Sequence, residues 1–336
     1  MAETLGHRPG LDGLRGVALL LVFGEHVSIP GFAGGGEVGV AVFFALSGFL
    51  ICNLAGEEIA RTGAMSIRGF YLRRVRRLIP ALLVAVAFWS LWDLRRWRGS
   101  VVEHAIIAVT YLANLARVNG DALGSLSHTW TLAIEEQFYV LLPVFAVPLW
   151  RRPRVAVPAL VGLAVVVMAW RWHLADDEFR VRFATDTRTD PMLLGCAAAI
   201  AVRGGWRMRW GWLGWVVILA VTATGDHLWT WGLAAVAVAS VGVIDDAYRR
   251  PGALAWRPLV WVGKRSYALY LWHVPISWAN TNPLAVAALS AIAAESSWRL
   301  VERRWLARRV VEQEHPDVVG PVDTGVPDHP VGRPVS

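Results

Sequence analysis

Apolar stretches long enough to span a membrane dominate this sequence. Eleven can be marked out, and most approach the roughly 20 residues with which an α-helix crosses a bilayer. They lie at 14–30, 37–55, 78–92, 104–118, 129–150, 155–173, 189–203, 210–224, 228–246, 266–281 and 284–302. Hydrophobic residues make up 55% of the chain and charged residues only 18%, whereas soluble domains carry about 25% charge. The sequence therefore predicts an all-α, polytopic membrane helix bundle and excludes an ordinary water-soluble domain.

Positive charge is the second constraint, because 33 basic residues face 26 acidic ones and leave a net charge of +7. The arginines fall in short runs between apolar stretches, as topology signals of membrane proteins do, so a nucleic-acid partner is not expected. The weakest stretch, 104–118, contains Asn114. If it is re-entrant or interfacial, about ten transmembrane helices remain, most basic residues lie on one side, and both termini are cytoplasmic. The chain is thus predicted to be a multi-pass protein of the cell membrane, with the lipid bilayer as a partner.

The two ends of the chain differ in character. Residues 1–310 are expected to form the membrane domain. Residues 311–336 are rich in proline and have no apolar period, so they predict a disordered cytoplasmic tail. The first apolar stretch contains Glu25 and His26 and lacks a small-residue cleavage site, so we expect a retained span and not a signal peptide.

Cysteine usage argues against two kinds of site. The chain has two cysteines, Cys52 and Cys196, and both lie inside apolar stretches. Their positions indicate packing and give neither a disulfide framework nor metal-ligand spacing. We expect no bound metal and no permanently bound cofactor.

Ionisable side chains inside a span are functional candidates, because each costs several kcal/mol unless it meets a partner or a cavity. Arg15 and His26 are eleven residues apart, so at about 100° per residue they share one helix face, about 16 Å apart along the axis. That face would carry a fixed cation and an imidazole that titrates near neutrality. The alternative is a snorkelling arginine and a hydrogen-bonded core histidine.

Four arginines stand at the start of the third span, between Phe70 and Pro80. Arginine binds phosphate oxygens in pairs of hydrogen bonds, so the cluster suits an anionic ligand. The alternative is a positive anchor that contacts anionic lipid.

A further constellation opens the fifth span. There His128 is followed by the adjacent carboxylates Glu135 and Glu136. Neighbouring residues on a helix point about 100° apart, so at most one carboxylate faces a given site. A purely structural role for the pair is the competing interpretation.

Seven motifs occur in a fixed order over residues 8–305. They are Leu11–Gly16 with the R-x10-H pair ending at His26, Gly39–Ile51, the R-x-x-R of Arg74 and Arg77 before Pro80, His128–Tyr139, Thr185–Asp190, Ser266–His273 and Arg299–Glu302. In these motifs the chain resembles acyltransferase family 3, integral membrane proteins that move acyl groups, commonly acetyl, from acyl-CoA to sugars, cell-wall glycans or macrolides. Two positions depart from the pattern: Ala41 replaces the usual acidic residue of the second span, and Thr131 replaces the usual serine but keeps a hydroxyl.

The resemblance implies an O-acyltransferase that uses acyl-CoA, with acetyl-CoA expected, and a hydroxyl of a sugar, cell-surface glycan or macrolide-like secondary metabolite as acceptor. The implied coenzyme-binding residues are Arg15, Arg74 and Arg77. The implied catalytic residues are His26, as base or acyl carrier, with Glu135 or Glu136 as the carboxylate that orients it. The residues expected to position the acceptor are His128, Trp130 and Arg188.

Two functions from other classes compete with this one. A transporter or flippase also needs many spans with buried charges, but we find no inverted repeat and no pair of similarly interrupted spans. A non-catalytic membrane scaffold would leave the shared face of Arg15 and His26 unexplained.

Overall fold

A computed structural model describes residues 8–94, 100–208, 211–225, 228–280 and 282–302. Over these residues the chain is helical, with no strand. The first seven α-helices are α1 (Pro9–His26), α2 (Gly35–Thr62), α3 (Ile67–Asp93), α4 (Val101–Val109), α5 (Ala113–Val118), α6 (Trp130–Arg151) and α7 (Pro153–His173). The others are α8 (Glu178–Phe183), α9 (Thr185–Arg188), α10 (Asp190–Arg203), α11 (Gly211–Thr224), α12 (Leu233–Arg249), α13 (Arg257–Lys264), α14 (Ser266–Ala279) and α15 (Pro283–Ser297).

Short helical turns complete the described chain. Two are 3-10 turns, at Gly124–Thr129 and Gly252–Ala255, and two are π-helical, at Leu228–Gly232 and Trp298–Glu302. The predicted tail, 311–336, lies outside the described residues.

The all-α membrane bundle predicted from hydropathy is confirmed. Each of the ten predicted spans overlaps one α-helix of at least 14 residues. Five helical segments of the described chain are long and apolar enough to cross a membrane on their own. They are Gly35–Thr62, Ile67–Asp93, Gly124–Arg151, Pro153–His173 and Pro283–Val301.

The stretch singled out as weakest, 104–118, is broken in the structure. It forms α4 and α5, of 9 and 6 residues, and neither is long enough to cross a bilayer. Tyr111 lies at the break with φ of 57°, a left-handed conformation that costs about 1–2 kcal/mol for a residue with a side chain. The Tyr111 carbonyl accepts a hydrogen bond from Gln137 Nε2 at 3.1 Å, which ties the break to α6.

Helix α2 forms the centre of the bundle. Of the 18 most apolar consecutive residues of α2, 78% are buried, whereas 22–33% of the corresponding residues are buried in the other four long segments. Glycines let α2 and α10 approach each other closely: a Cβ on Gly48 would collide with the Met192 carbonyl, and one on Gly195 with the Ala45 carbonyl. Small residues serve this purpose in membrane bundles, where tight packing replaces the hydrophobic effect between helices.

A buried ion pair fastens α7 to α10. Arg171 Nη1 lies 2.6 Å from Asp190 Oδ1, and the two side chains are 1% and 0% exposed. Arg171 also donates to the Thr187 carbonyl at 2.8 Å. Loss of one partner from such a pair costs about 3–5 kcal/mol, because the other charge is left buried and unpaired.

Candidate active site

A cavity of about 810 Å³ lies between α1, α2, α3, α6 and α14. One end, which we call the arginine end, is lined by Arg61, Arg73, Arg74 and Arg77, whereas Arg15 of α1 lines the cavity nearer Ser47. The other, which we call the hydroxyl end, is lined by Ser47, Thr131, Glu135 and Tyr270. Fourteen residues of α2 separate Ser47 from Arg61, about 21 Å at the helical rise. The cavity thus joins a cationic end to an end with hydroxyls and one carboxylate.

Three of the five arginines that line the cavity, Arg15, Arg73 and Arg74, lie beside a carboxylate. Arg73 Nη2 lies 2.7 Å from Glu58 Oε2, and Arg15 Nη1 lies 3.7 Å from Asp12 Oδ1. Arg73 and Arg77 are nevertheless exposed, so each can still meet a ligand.

Arg74 is held more tightly than its neighbours. Its Nη2 and Nε donate to the two carboxylate oxygens of Glu136 at 2.6 and 3.4 Å, and its guanidinium lies 3.6 Å from the centre of the Tyr139 ring. Arg74 therefore connects α3 to α6 and contributes charge to the arginine end from a fixed position.

The two adjacent carboxylates of α6 separate as helix geometry predicts. Glu136 faces Arg74, whereas Glu135 lines the cavity and accepts a hydrogen bond from Ser47 Oγ at 2.7 Å. Glu135 is therefore the carboxylate at the hydroxyl end.

A closed ring of hydrogen bonds fixes α6 just beyond these carboxylates. Asn114 Nδ2 donates to Thr185 Oγ1 at 2.9 Å, Thr185 Oγ1 donates to Gln137 Oε1, and Gln137 Nε2 donates to Asn114 Oδ1 at 2.8 Å. Donors and acceptors run in one direction around the ring, so each bond polarises the next. The ring joins α5, α6 and α9.

His26 is the last residue of α1 and does not line the cavity. Its Nδ1 donates to the Val22 carbonyl at 2.8 Å, which leaves Nε2 as the acceptor nitrogen. The hydrogen bond that orients this imidazole thus comes from the backbone and not from Glu135 or Glu136, the carboxylates predicted for that task. Arg15 and His26 do lie on one continuous helix, as the spacing predicts.

Tyr270 and His273 stand between the cavity and His26. Tyr270 lines the cavity, accepts a hydrogen bond from Thr131 Oγ1 at 2.8 Å and donates to the His128 carbonyl at 2.9 Å. Its ring centre lies 5.7 Å from that of His273, which lies 5.3 Å from that of His26. A continuous path of side chains therefore leads from the hydroxyl end to His26.

All three residues expected to meet the acceptor are buried, and Trp130 is 8% exposed. His128 is 5% exposed and donates its Nδ1–H to the Ser125 carbonyl at 3.0 Å. Arg188 is 2% exposed; its Nη2 lies 2.8 Å from Glu37 Oε2, and its guanidinium lies 5.6 Å from the centre of the Trp130 ring. Arg182 approaches the other oxygen of Glu37 at 2.8 Å. The roles of His128, Trp130 and Arg188 in acceptor binding stay predictions.

Glu37 is a buried acidic residue close to Ala41, the position at which the second span lacks the acidic residue usual in the motif. It lies four residues, or one helical turn, before Ala41 on α2 and is 5% exposed. The second span therefore keeps a buried carboxylate, placed one turn nearer the start of the helix.

The family of the chain follows from its match to known proteins. The family model described as an acyltransferase domain matches residues 8–300, which include the cavity and the path of Tyr270, His273 and His26. The chain belongs to acyltransferase family 3.

Curated relatives of this family 3 chain are bacterial. It is 30% identical over 342 residues to the peptidoglycan O-acetyltransferase OatA of Listeria monocytogenes, covering 88% of this chain and 55% of the relative. It is 31% identical over 344 residues to the O-acetyltransferase OatA of Staphylococcus aureus, covering 88% and 56%. With the Bacillus subtilis protein YrhL it shares 31% identity over 357 residues, covering 90% and 55%. The chain thus spans a little over half the length of these relatives. No solved structure matches it.

Four residues of this acyltransferase domain were not assigned from the sequence. Glu37 begins the second apolar stretch and Ser47 lies within it. Tyr270 and His273 belong to the motif Ser266–His273. A buried acid in an apolar stretch and a histidine within a span are both signals that mark functional candidates. Among the described residues no group of His, Cys, Asp and Glu is placed to hold a metal ion.

Proposed function

We propose that this domain transfers an acetyl group from acetyl-CoA to a hydroxyl of a cell-wall glycan. The observation that carries the proposal is the cavity, which joins a cluster of arginines to a set of hydroxyls close to three histidines. The relatives named as peptidoglycan O-acetyltransferases support a glycan as the acceptor class.

The arginine end suits the phosphates of coenzyme A. Arg73 and Arg77 would bind phosphate oxygens, Arg74 would add charge from its fixed place beside Glu136, and Arg15 would contribute charge from α1, nearer Ser47. The volume of about 810 Å³ is within the range of ligand pockets, and the separation of about 21 Å between Ser47 and Arg61 along α2 suits an extended coenzyme arm. The thioester would then lie at the hydroxyl end, near Thr131 and Tyr270. In the cell this arrangement requires the arginine end to face the cytoplasm.

His26 is the residue we expect to activate the acceptor. Its Nε2 carries a lone pair, because Nδ1 holds the proton bound to the Val22 carbonyl. As a base, Nε2 takes the proton of the acceptor hydroxyl while the oxygen bonds to the thioester carbon, the carbon–sulfur bond breaks and the thiol leaves with a proton. As a carrier, Nε2 itself bonds to that carbon while the carbon–sulfur bond breaks and the thiolate leaves. In a second step the hydroxyl oxygen bonds to the carbon, the carbon–Nε2 bond breaks, and the hydroxyl proton passes to the thiolate.

Reconstitution tests the proposal directly. The purified protein in lipid nanodiscs would be mixed with acetyl-CoA labelled in the acetyl group and with an oligosaccharide released from peptidoglycan. Mass spectrometry is expected to show the labelled acetyl ester on the sugar and free thiol in equal amount. Thiol release without an ester would indicate hydrolysis only. The absence of both the ester and the free thiol would contradict the proposal. A transporter would move the sugar or coenzyme across a vesicle membrane and leave both unmodified.

A further inference from the structure

Three imidazoles lie behind the cavity in the same protonation pattern. His26, His128 and His273 each donate Nδ1–H to a backbone carbonyl three or four residues earlier, so in the neutral imidazole Nε2 of each carries the lone pair. In the described part of the chain, Nε2 of His128 and Nε2 of His273 are buried without a hydrogen-bond partner. A buried acceptor without a donor costs about 1–3 kcal/mol, so packing alone does not account for them.

His273 is the imidazole that connects the cavity to His26. It is 2% exposed, and its ring contacts both Tyr270, at 5.7 Å, and His26, at 5.3 Å between ring centres. The ring of His128 contacts Tyr270 at 5.5 Å and lies to the side of this path. A group that enters past Tyr270 therefore meets His273 before it meets His26.

We propose that His273 is a second catalytic residue, the general acid that protonates the leaving thiolate of the coenzyme. This inference rests on the proposed function. The proton of the acceptor hydroxyl moves to His26 Nε2 as the oxygen bonds to the thioester carbon, and it passes from there to His273 Nε2. The carbon–sulfur bond breaks, its electron pair stays on sulfur, and His273 gives the proton to that thiolate. Both imidazoles return to the neutral form, and His26 acts as a base and not as a carrier.

The choice of leaving group separates this role from a structural one. An alkyl thiolate such as that of coenzyme A needs a proton as it leaves, whereas an acidic aryl thiolate leaves without one. The test compares H273Q with the wild-type protein on acetyl-CoA and on the acetyl thioester of 4-nitrothiophenol. Glutamine is polar and of similar reach but does not transfer a proton. On acetyl-CoA we expect a loss of about 100-fold or more, and on the aryl thioester less than about 10-fold.

Trp272→Phe is the matched control for H273Q. Trp272 is the preceding residue of α14, and its buried Nε1 also has no partner among the described residues, but its ring packs on Phe88 and Trp89 instead. W272F is expected to keep wild-type rates with both donors. If H273Q does not fold, H273N undergoes the same comparison, because its shorter amide can still donate to the Leu269 carbonyl.

The outcomes are distinct. Equal losses of H273Q with both donors would mean that His273 only supports the surrounding structure, and an undiminished rate with acetyl-CoA would mean that the proton reaches sulfur elsewhere. Either result overturns the inference while the proposed function stands. A wild-type protein that forms no ester from acetyl-CoA overturns the proposed function itself.

Discussion

The two ends of the path through this protein treat polar groups in opposite ways. At the arginine end, charged groups have partners, such as Glu58 for Arg73 and Glu136 for Arg74. Around His273, in contrast, Nε2 of His128 and Nε2 of His273 are buried without a hydrogen-bond partner in the described part of the chain. Paired charges can stay in place and attract an anion, whereas an unpaired lone pair is available to take a proton. The difference indicates that one end serves binding and the other serves chemistry.

The largest effect is expected for the substitution His26→Ala. If the imidazole end performs the chemistry, removal of the base lowers the transfer rate by about 10³-fold or more, within the range of general base catalysis. Affinity for a non-hydrolysable acetyl-CoA analogue, measured by calorimetry, is expected to stay within about twofold, because His26 does not line the cavity. Expression and thermal unfolding in detergent serve as controls. Normal acetylation by the variant contradicts the assignment.

Glu135→Gln and Glu136→Gln test the comparison within one helix turn. Glu135 lies at the hydroxyl end, so its loss is expected to lower the rate constant by about 10- to 100-fold with little change in donor affinity. Glu136 holds Arg74, so its loss is expected to weaken donor binding and lower the unfolding temperature. Steady-state kinetics of both variants at saturating acceptor give the two parameters. If the two effects are exchanged, the division into a binding end and a chemical end is wrong.

A double substitution, Arg73→Ala with Arg77→Ala, addresses the arginine end. We expect the dissociation constant of the acetyl-CoA analogue to rise by about 10- to 100-fold. A charge-assisted hydrogen bond is worth about 1–3 kcal/mol, and the lower part of that range applies here because both arginines are exposed to solvent. Arg68 lies on the same helix and is exposed, and it does not line the cavity, so Arg68→Ala is the matched control. Equal weakening by the control variant would favour the lipid-anchor interpretation of the whole cluster.

The smallest effect is expected at Thr131. Thr131→Ser keeps the hydroxyl that donates to Tyr270 and should change the transfer rate by less than about twofold. Thr131→Val removes the donor at nearly constant volume and should lower the rate by about 2- to 10-fold, in proportion to one neutral hydrogen bond. Rates of both variants under the same conditions decide the matter. An effect of serine as large as that of valine would show that shape, and not the hydroxyl, matters there.

Hydropathy and spacing predicted the helices of this protein well, because a membrane imposes a length and a composition on each segment that crosses it. The stretch 104–118, which carries Asn114, was predicted to be re-entrant or interfacial, and it forms two helices that are too short to cross a bilayer. The separation of Glu135 from Glu136 followed from helix geometry alone. Which of the two faces the cavity did not follow, because it depends on how α6 is rotated against α2 and α3.

Contacts between side chains of distant helices could not be predicted from the sequence. Arg74 and Glu136 are 62 residues apart, and nothing along the chain identifies one as the partner of the other. His273 belongs to a motif found in the sequence. The role proposed for it, however, depends on its contact with His26, about 250 residues away in the chain. The sequence shows that the usual acid is missing at Ala41. That Glu37, one turn away, is buried could be learned only from the packing of α2.

The hydrogen-bond ring of Asn114, Gln137 and Thr185 has a consequence for the carboxylates beside it. Those three bonds act as a rotational lock on α6, since they attach one face of the helix to two neighbouring segments. A turn of α6 by one residue, about 100°, would carry Glu136 toward Ser47 and remove Glu135 from the cavity. The lock therefore determines which of two chemically identical side chains faces the cavity, although none of its three hydrogen bonds involves either of them.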